Sequence, residues 1–317
     1  MTAKLGYSLK GRHFISVRDF LPEELRQTLY VAQSLRSRLL MGDRPNIMEG
    51  KTLGMIFQKP SLRTVVSFQI AMNQMGGNAL YLGPDQISIG KRETTEDIAT
   101  VLSGYVDGIM ARVFGHNVVE DLSKYSRVPV INGLSDFEHP CQALGDMLTV
   151  LERKGTLAGL KMTYVGDGNN VANSLAFIAA RLGLHISIAS PKGFEAKSKV
   201  LETAAADAKE FSTGSHIEQL NDPIKAVKDA DIIYTDVWAS MGQEAEREER
   251  KRIFKDYMVT SKMLDAAKST VMLLHCLPAH YGEEIAEGLS KDARSAIFPQ
   301  AENRLHAQKG LLALLLS

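Results

Sequence analysis

Residues 52–64 read TLGMIFQKPSLRT, and this stretch decides the fold class. Thr52 to Phe57 is a short apolar run suited to a buried strand, and Lys59-Pro60 stops it. From about Ser61 the residues Val66, Ile70, Met72 and Met75 suit a helix, which Gly76-Gly77 closes. Ala79 to Leu82 is a second apolar run. Strand, helix and strand in quick succession are the rhythm of a parallel sheet with helices on its faces.

The rhythm extends in both directions. Leu21-Pro22-Glu23-Glu24 opens a helix that carries Leu25, Leu29, Ala32 and Leu35, and the first stretch reads as helical to about residue 45. Beyond a polar loop at 83–93 come a helix (about 95–104), a strand (Gly108 to Arg112), a helix (about 117–125) and a strand (Val128 to Asn132). A long helix from Pro140 to Lys154 bridges to a second half with strands at Lys161 to Val165, Ile186 to Ala189, Asp231 to Thr235 and Val271 to Leu274. With 317 residues the chain suits two domains of about 150 each.

Bulk properties exclude several function classes. Lys plus Arg equals Asp plus Glu at 37 each, so no bulk charge favours nucleic acid. Two cysteines, Cys141 and Cys276, make a poor disulfide framework and point to a reducing, cytoplasmic setting. The opening MTAKLGYSLKGRHF lacks the apolar core of a signal peptide, and Leu311 to Leu316 is too short to span a bilayer. No metal is expected, because the cysteines and scattered histidines give no zinc-type spacing.

Seven clusters stand just past strands or at helix starts, where open α/β sheets bind ligands. Lys59 to Thr64 puts two hydroxyls and the Arg63 guanidinium at a helix N-terminus, which suits phosphate. Arg112 ends a strand. His139-Pro140-Cys141-Gln142 opens the bridging helix and offers an imidazole and an amide on one face. Gly166-Asp167-Gly168-Asn169-Asn170 lacks the third glycine of a dinucleotide loop, so no nicotinamide cofactor is expected. Asp236-Val237-Trp238-Ala239-Ser240-Met241-Gly242 offers a carboxylate for an ammonium group and a hinged loop; the charged run Glu244 to Lys255 after it reads as a solvated helix face. His275-Cys276-Leu277-Pro278 and Gln300 to Arg304 complete the set. Singly, each also suits an ordinary cap, a surface charge or a buried thiol.

Taken together, QKPSLRT, MARV, HPCQALGD, GDGNN, DVWASMG, HCLPAH and QAENRLHAQK resemble the aspartate/ornithine carbamoyltransferase family, on its ornithine branch, from about residue 10 to the C-terminus. The resemblance implies two doubly wound α/β domains with parallel sheets, linked by two interdomain helices. Residues 1–140, with a helix over 300–317 packing back, would bind carbamoyl phosphate, and 141–299 would bind ornithine. It implies that Ser61, Leu62, Arg63, Thr64, Arg112, His139, Gln142, Cys276, Leu277 and Arg304 contact carbamoyl phosphate. Arg112, His139, Cys276 and Arg304 would be catalytic, and Asn170, Asp236, Ser240 and Met241 would hold ornithine. The products would be citrulline and phosphate, with no cofactor. It also implies a homotrimer or a multiple of one, with the loop around Ser88 reaching into a neighbour's site. Two other outcomes fit the same motifs: a carbamoyltransferase for another amine, such as an acylated ornithine, and a catalytically weak regulatory paralogue.

The chain departs from the family at the phosphate loop, usually Ser-Thr-Arg-Thr-Arg and here Ser61-Leu62-Arg63-Thr64-Val65. Ser88, Tyr281 and Pro299 stand where Gln, Arg and Asp are common. The loss of one hydroxyl and one guanidinium predicts an altered anion pocket, more tolerant of inhibitors that imitate both bound substrates.

Overall fold

A computed structural model of the chain describes residues 6–87, 89–90, 93–239 and 244–317. The chain divides into two units, Met1–Leu148 with Asn303–Ser317, and Thr149–Glu302. The first holds α1 (Pro22–Leu40), β1 (Thr52–Phe57), α2 (Leu62–Gln74), β2 (Asn78–Leu82), α3 (Thr95–Leu102), β3 (Gly108–Arg112), α4 (His116–Tyr125) and β4 (Val130–Leu134). The division then falls inside α5 (Pro140–Lys154). The second unit holds β5 (Lys161–Val165), α6 (Asn170–Leu182), β6 (His185–Ala189), α7 (Ser198–Glu210), β7 (Ile217–Leu220), α8 (Pro223–Val227), β8 (Ile232–Thr235), α9 (Arg247–Phe254), α10 (Ser261–Asp265) and β9 (Met272–His275). Helix α11 (Ile297–Leu316) crosses the division again, so the chain passes between the units along two helices.

Both sheets are parallel, in the orders β2-β1-β3-β4 and β7-β6-β5-β8-β9. In each, the chain steps outward from a starting strand and then returns to that strand's other side. Right-handed crossovers put the helices of the two arms on opposite faces, which is the doubly wound arrangement. The reversal lies between β1 and β3, where Phe57 pairs with Arg112, and between β5 and β8, where Val165 pairs with Thr235. Loops diverge at such a reversal and leave a crevice beyond the strand ends.

Sheets covered on both faces need strands that are apolar throughout rather than alternating. Leu53, Met55, Ile56 and Phe57 of β1 are fully buried, as are Ile232, Ile233 and Tyr234 of β8. Each such side chain contributes about 1.5–3 kcal/mol by leaving water. Helix α6 is buried on every side from Val171 to Leu182, and its alanines let it lie deep.

Most strand and helix ends differ from the sequence-based expectation by a residue or two, and three departures have a local reason. The first helix stops at Leu40: Gly42, at φ +80°, turns the chain, and the Asp43 N–H donates back to the Arg38 carbonyl (2.9 Å). β4 runs Val130–Leu134 rather than 128–132, because the β3–β4 register shifts between Ala111 and Arg112. Gly133 accommodates that bulge; a Cβ there would meet Met110 Sδ at 2.5 Å. β7 is an addition, since its IEQL sequence has no apolar run; a half-exposed edge strand does not need one.

Candidate functional site

In the first unit the site grows from the β1–β3 reversal. Gln58 ties the two strand ends together: its N–H donates to the Arg112 carbonyl (2.9 Å), and its side-chain oxygen accepts from the Phe114 N–H (2.8 Å). Ser61 caps α2, its Oγ accepting from the Thr64 N–H (3.4 Å) and donating to Thr64 Oγ1 (3.1 Å). Arg63 is thereby fixed in the first helical turn. Leu62 is the first residue of α2, and its side chain is 77% exposed, so what it offers is backbone rather than side chain. Arg112 stands at the bulge, which re-aims the end of β3.

His139 immediately precedes α5, and its carbonyl accepts the Gln142 and Ala143 N–H groups (3.0 and 3.2 Å). A turn locked by Ser135 and Glu138 places it: the Ser135 N–H donates to the Glu138 carbonyl, and the Glu138 N–H to Ser135 Oγ. Gln142 Oε1 accepts from Arg304 Nη1 (2.7 Å), and Gln142 Nε2 donates to Asp146 Oδ1 (2.8 Å). Arg304 Nη2 donates to Thr64 Oγ1 (3.4 Å). Cys141 points elsewhere, onto the Asn132 carbonyl, and burial pushes its thiol up to about 12, so it is no nucleophile.

The electrostatics single out one point. Burial first, then the charges of Arg304, Arg112 and Arg63, hold His139 well below the usual imidazole range. At pH 7 the ring is therefore neutral and can donate one N–H. Arg63, Arg112 and Arg304 thus all bear on His139, a cationic surrounding whose charge is complementary to a small anion.

In the second unit Asn169 caps α6, its Oδ1 accepting from the Val171 and Ala172 N–H groups (2.9 and 3.2 Å) and from the Tyr164 hydroxyl (3.3 Å). Its Nδ2 donates to Asp236 Oδ2 (2.9 Å), so the β5 and β8 loops are stitched across the reversal. Asp236 Oδ1 accepts from the Val237 N–H (2.8 Å) and from the Cys276 thiol (2.9 Å). Asn170 follows as the first, half-buried residue of α6.

Cys276 and Leu277 leave β9 in a tight turn, with Leu277 at φ +59°, a left-handed conformation that costs a non-glycine residue about 1–3 kcal/mol. The Leu277 N–H donates to His275 Nδ1 (2.9 Å), which leaves the ring proton on Nε2 to donate to Glu284 Oε1 (2.9 Å). His275 and Glu284 are fully buried, and that pair anchors the turn. Asp236, His275 and Cys276 bring ligand-type atoms within 4.8 Å of one another, as do His280, Glu283 and Glu284; the sequence spacing announced neither group. Both nitrogens of His275 are taken up by hydrogen bonds.

A further clasp was not foreseen. Arg250, in the charged run expected to be solvated, is 6% exposed. Its guanidinium reaches the Trp238 carbonyl (2.8 Å), Asp167 (3.1 Å) and Glu246 (2.9 Å), and lies 4.9 Å over the Phe194 ring. Burial pushes Asp167 up to about 6 despite the opposing pull of Arg250.

The first unit thus gathers Thr64, Arg112, His139, Gln142, Arg304 and Arg63, and the second gathers Asp236 and Cys276 with Asn169. Ser88, Ser240 and Met241 lie outside the described residues. Asn169 carried a usable signal, an Asn directly before an apolar helical period. Asp146 sat four residues after Gln142 on the same helix face. Arg250 and Glu284 had none, since their partners are remote in sequence.

The sequence model of the aspartate/ornithine carbamoyltransferase carbamoyl-P binding domain matches residues 12–152, and that of the Asp/Orn binding domain matches residues 158–315. Among curated proteins, the chain is 53% identical to an ornithine carbamoyltransferase of Pyrococcus abyssi over 98% of this chain and 97% of that one. It is 49% identical to that of Bacillus subtilis over 98% and 95%. Among solved structures, the ornithine carbamoyltransferase from Pyrococcus furiosus superposes with a TM-score of 0.95 at 52% identity, covering 98% and 99% of the two chains. That from Thermus thermophilus gives 0.86 at 41%, covering 96% and 98%.

Proposed function

The chain belongs to the aspartate/ornithine carbamoyltransferase family, and from that premise we propose which residues carry its reaction. It transfers the carbamoyl group of carbamoyl phosphate to the side-chain amine of L-ornithine, releasing L-citrulline and phosphate. The observation that carries the residue assignment is the reach of Arg304 to both Gln142 (2.7 Å) and Thr64 (3.4 Å), which joins the starts of α2 and α5 around a buried His139 on which Arg63 and Arg112 also act.

We assign residues 1–140, with the helix over 300–317, to carbamoyl phosphate, and 141–299 to ornithine. The cationic set supports the first assignment and the Asp236 cluster the second. The phosphate rests on Ser61, the Leu62 backbone and Arg63 in the first turn of α2, and on Arg112. Thr64, Arg112, His139 and Arg304 surround the carbonyl oxygen, where negative charge develops during attack. Gln142, beside Arg304, takes the carbamoyl amide. Asp236 holds the α-ammonium of ornithine, with Asn170, Ser240 and Met241 on the remainder of the amino-acid head.

The side-chain amine must attack in its neutral form. With an ordinary value near 10.4, that costs about 4 kcal/mol at pH 7.4. A dehydrated approach beside Cys276 lowers this cost by disfavouring the ammonium. The amine nitrogen bonds to the carbamoyl carbon, the C–O bond to phosphate breaks, and the amine's proton leaves with the phosphate. His139, uncharged, donates to the oxyanion without surrendering its proton. Every group required is a side chain or a backbone N–H.

A trimer, or a multiple of trimers, is the assembly this reading favours. Leu62, Val66 and Ile70 form an exposed apolar stripe at i, i+4, i+8 on α2, and Leu80 lies exposed on the edge strand β2. The Ser88 loop then completes a neighbouring subunit's site. A cytoplasmic setting fits two buried cysteines that form no disulfide. The direct test is citrulline formation by the purified chain from carbamoyl phosphate and ornithine. Turnover with an acylated ornithine and none with ornithine would overturn the substrate assignment.

A further inference from the structure

Three helices of the first unit each place two polar residues on one face: Thr64 and Ser67 on α2, Gln142 and Asp146 on α5, Arg304 and Gln308 on α11. All six are buried, Gln308 to 1% exposure. The Gln308 amide has one orientation that satisfies both of its ends. In it, the oxygen accepts from Arg304 Nη2 (3.2 Å) and Nε (3.3 Å), and the nitrogen donates to Ser67 Oγ (2.6 Å). Arg304 Nη1 meanwhile donates to Gln142 Oε1 (2.7 Å), whose own nitrogen is held by Asp146 (2.8 Å). An arginine side chain has four flexible bonds; here carboxamides grip two edges of its planar head.

We propose that Gln308, anchored by Ser67, is a positioning residue that sets the plane of the Arg304 guanidinium while leaving its charge intact for the reacting carbonyl. This rests on the assignment of Arg304 to the carbamoyl end. The acceptor's neutrality is the chemical point. A carboxylate at the same place would make the same two bonds and cancel the charge that Arg304 supplies. An apolar side chain of the same length would keep the charge and lose the aim. Gln308 touches no reacting atom in this scheme and acts only through Arg304.

The test is steady-state kinetics of citrulline formation by the full chain, varying each substrate, for Gln308→Met, Gln308→Glu and Ser67→Ala beside Arg304→Met. Melting temperature is measured for each. Gln308→Met is expected to lower kcat/KM for carbamoyl phosphate about 10- to 100-fold, the effect of hydrogen bonds to a charged group, with the KM for ornithine within about twofold of wild type. Gln308→Glu should fall at least as far despite restored bonding. Ser67→Ala should fall about threefold in the same direction, since it removes only the outer bond. Wild-type kinetics in both Gln308 variants would overturn the proposal. So would a loss shared equally by both substrates and tracking the melting temperature, because that is what mere packing gives. If Arg304→Met itself leaves carbamoyl phosphate kinetics unchanged, the site assignment fails instead, and the two failures are distinct.

Discussion

Between β1 and β3 the first unit presents Arg63 and Arg112, and between β5 and β8 the second presents Asp167, Asp236 and two asparagines. The architecture is the same at both reversals, yet the sign of the charge is opposite. One substrate is a small dianion and the other bears an ammonium group, and the proposed assignment gives each reversal the ligand of opposite charge. The two are also stiffened differently. In the first unit, much of the polar set sits on helices at spacings of three or four residues, and helix packing sets its geometry. In the second, loops are sewn together by Asn169–Asp236, Cys276–Asp236 and Arg250–Asp167 contacts. Damage should therefore stay local and ligand-specific, and four variants can break or sharpen that contrast.

The largest effect is expected of Arg112→Met, which on the proposed assignment removes charge beside the developing oxyanion. Its kcat/KM for carbamoyl phosphate should fall on the order of 1000-fold, about 4 kcal/mol, read from initial rates. Next, Asp236→Asn should raise the KM for ornithine on the order of 50-fold, about 2–3 kcal/mol, and leave that for carbamoyl phosphate nearly unchanged. Third, Leu62→Thr with Val65→Arg restores the hydroxyl and guanidinium that the first turn of α2 lacks. That pair should lower the KM for carbamoyl phosphate about tenfold and increase inhibition by a bisubstrate analogue. Unchanged inhibition would mean that the loop substitutions do not shape the anion pocket.

The smallest effect on rate is expected at Asp167→Asn, about two- to threefold, with a clearer optical signature. Trp238 is the only tryptophan, and Arg250 joins its carbonyl to Asp167. Asp167 is raised to about 6, so the ion pair forms as pH rises through 6 and is lost as pH falls through it. The folded chain takes up that proton near pH 6, whereas an unfolded chain waits until about 4. This group therefore adds global stability as pH falls across that window, even while the local clasp loosens. Wild-type Trp238 fluorescence should titrate with a midpoint near 6, and Asp167→Asn should abolish the transition.

Much of this was legible in the residues themselves. Thr52–Phe57, Gly108–Arg112, Pro140–Lys154 and Lys161–Val165 carry their boundaries in apolar runs bounded by Pro, Gly or polar residues. β7 was not legible, because an edge strand needs no apolar run. Arg63, Arg112, His139 and Arg304 could be picked out at strand and helix ends, but their convergence depends on which strands become neighbours. Arg250 read as solvent-facing among eight charged neighbours, since only the tertiary fold lays Phe194 beneath it. Gln308 carried no signal of its own, because its partner Ser67 lies on α2, far away in sequence.

The paired kinetics of Arg63→Met and Asp236→Asn test the division of labour most directly. Citrulline initial rates over a grid of both substrates should show the arginine variant impaired toward carbamoyl phosphate alone and the aspartate variant toward ornithine alone. Equal impairment toward both substrates in either variant would contradict the assignment of one ligand to each sheet reversal.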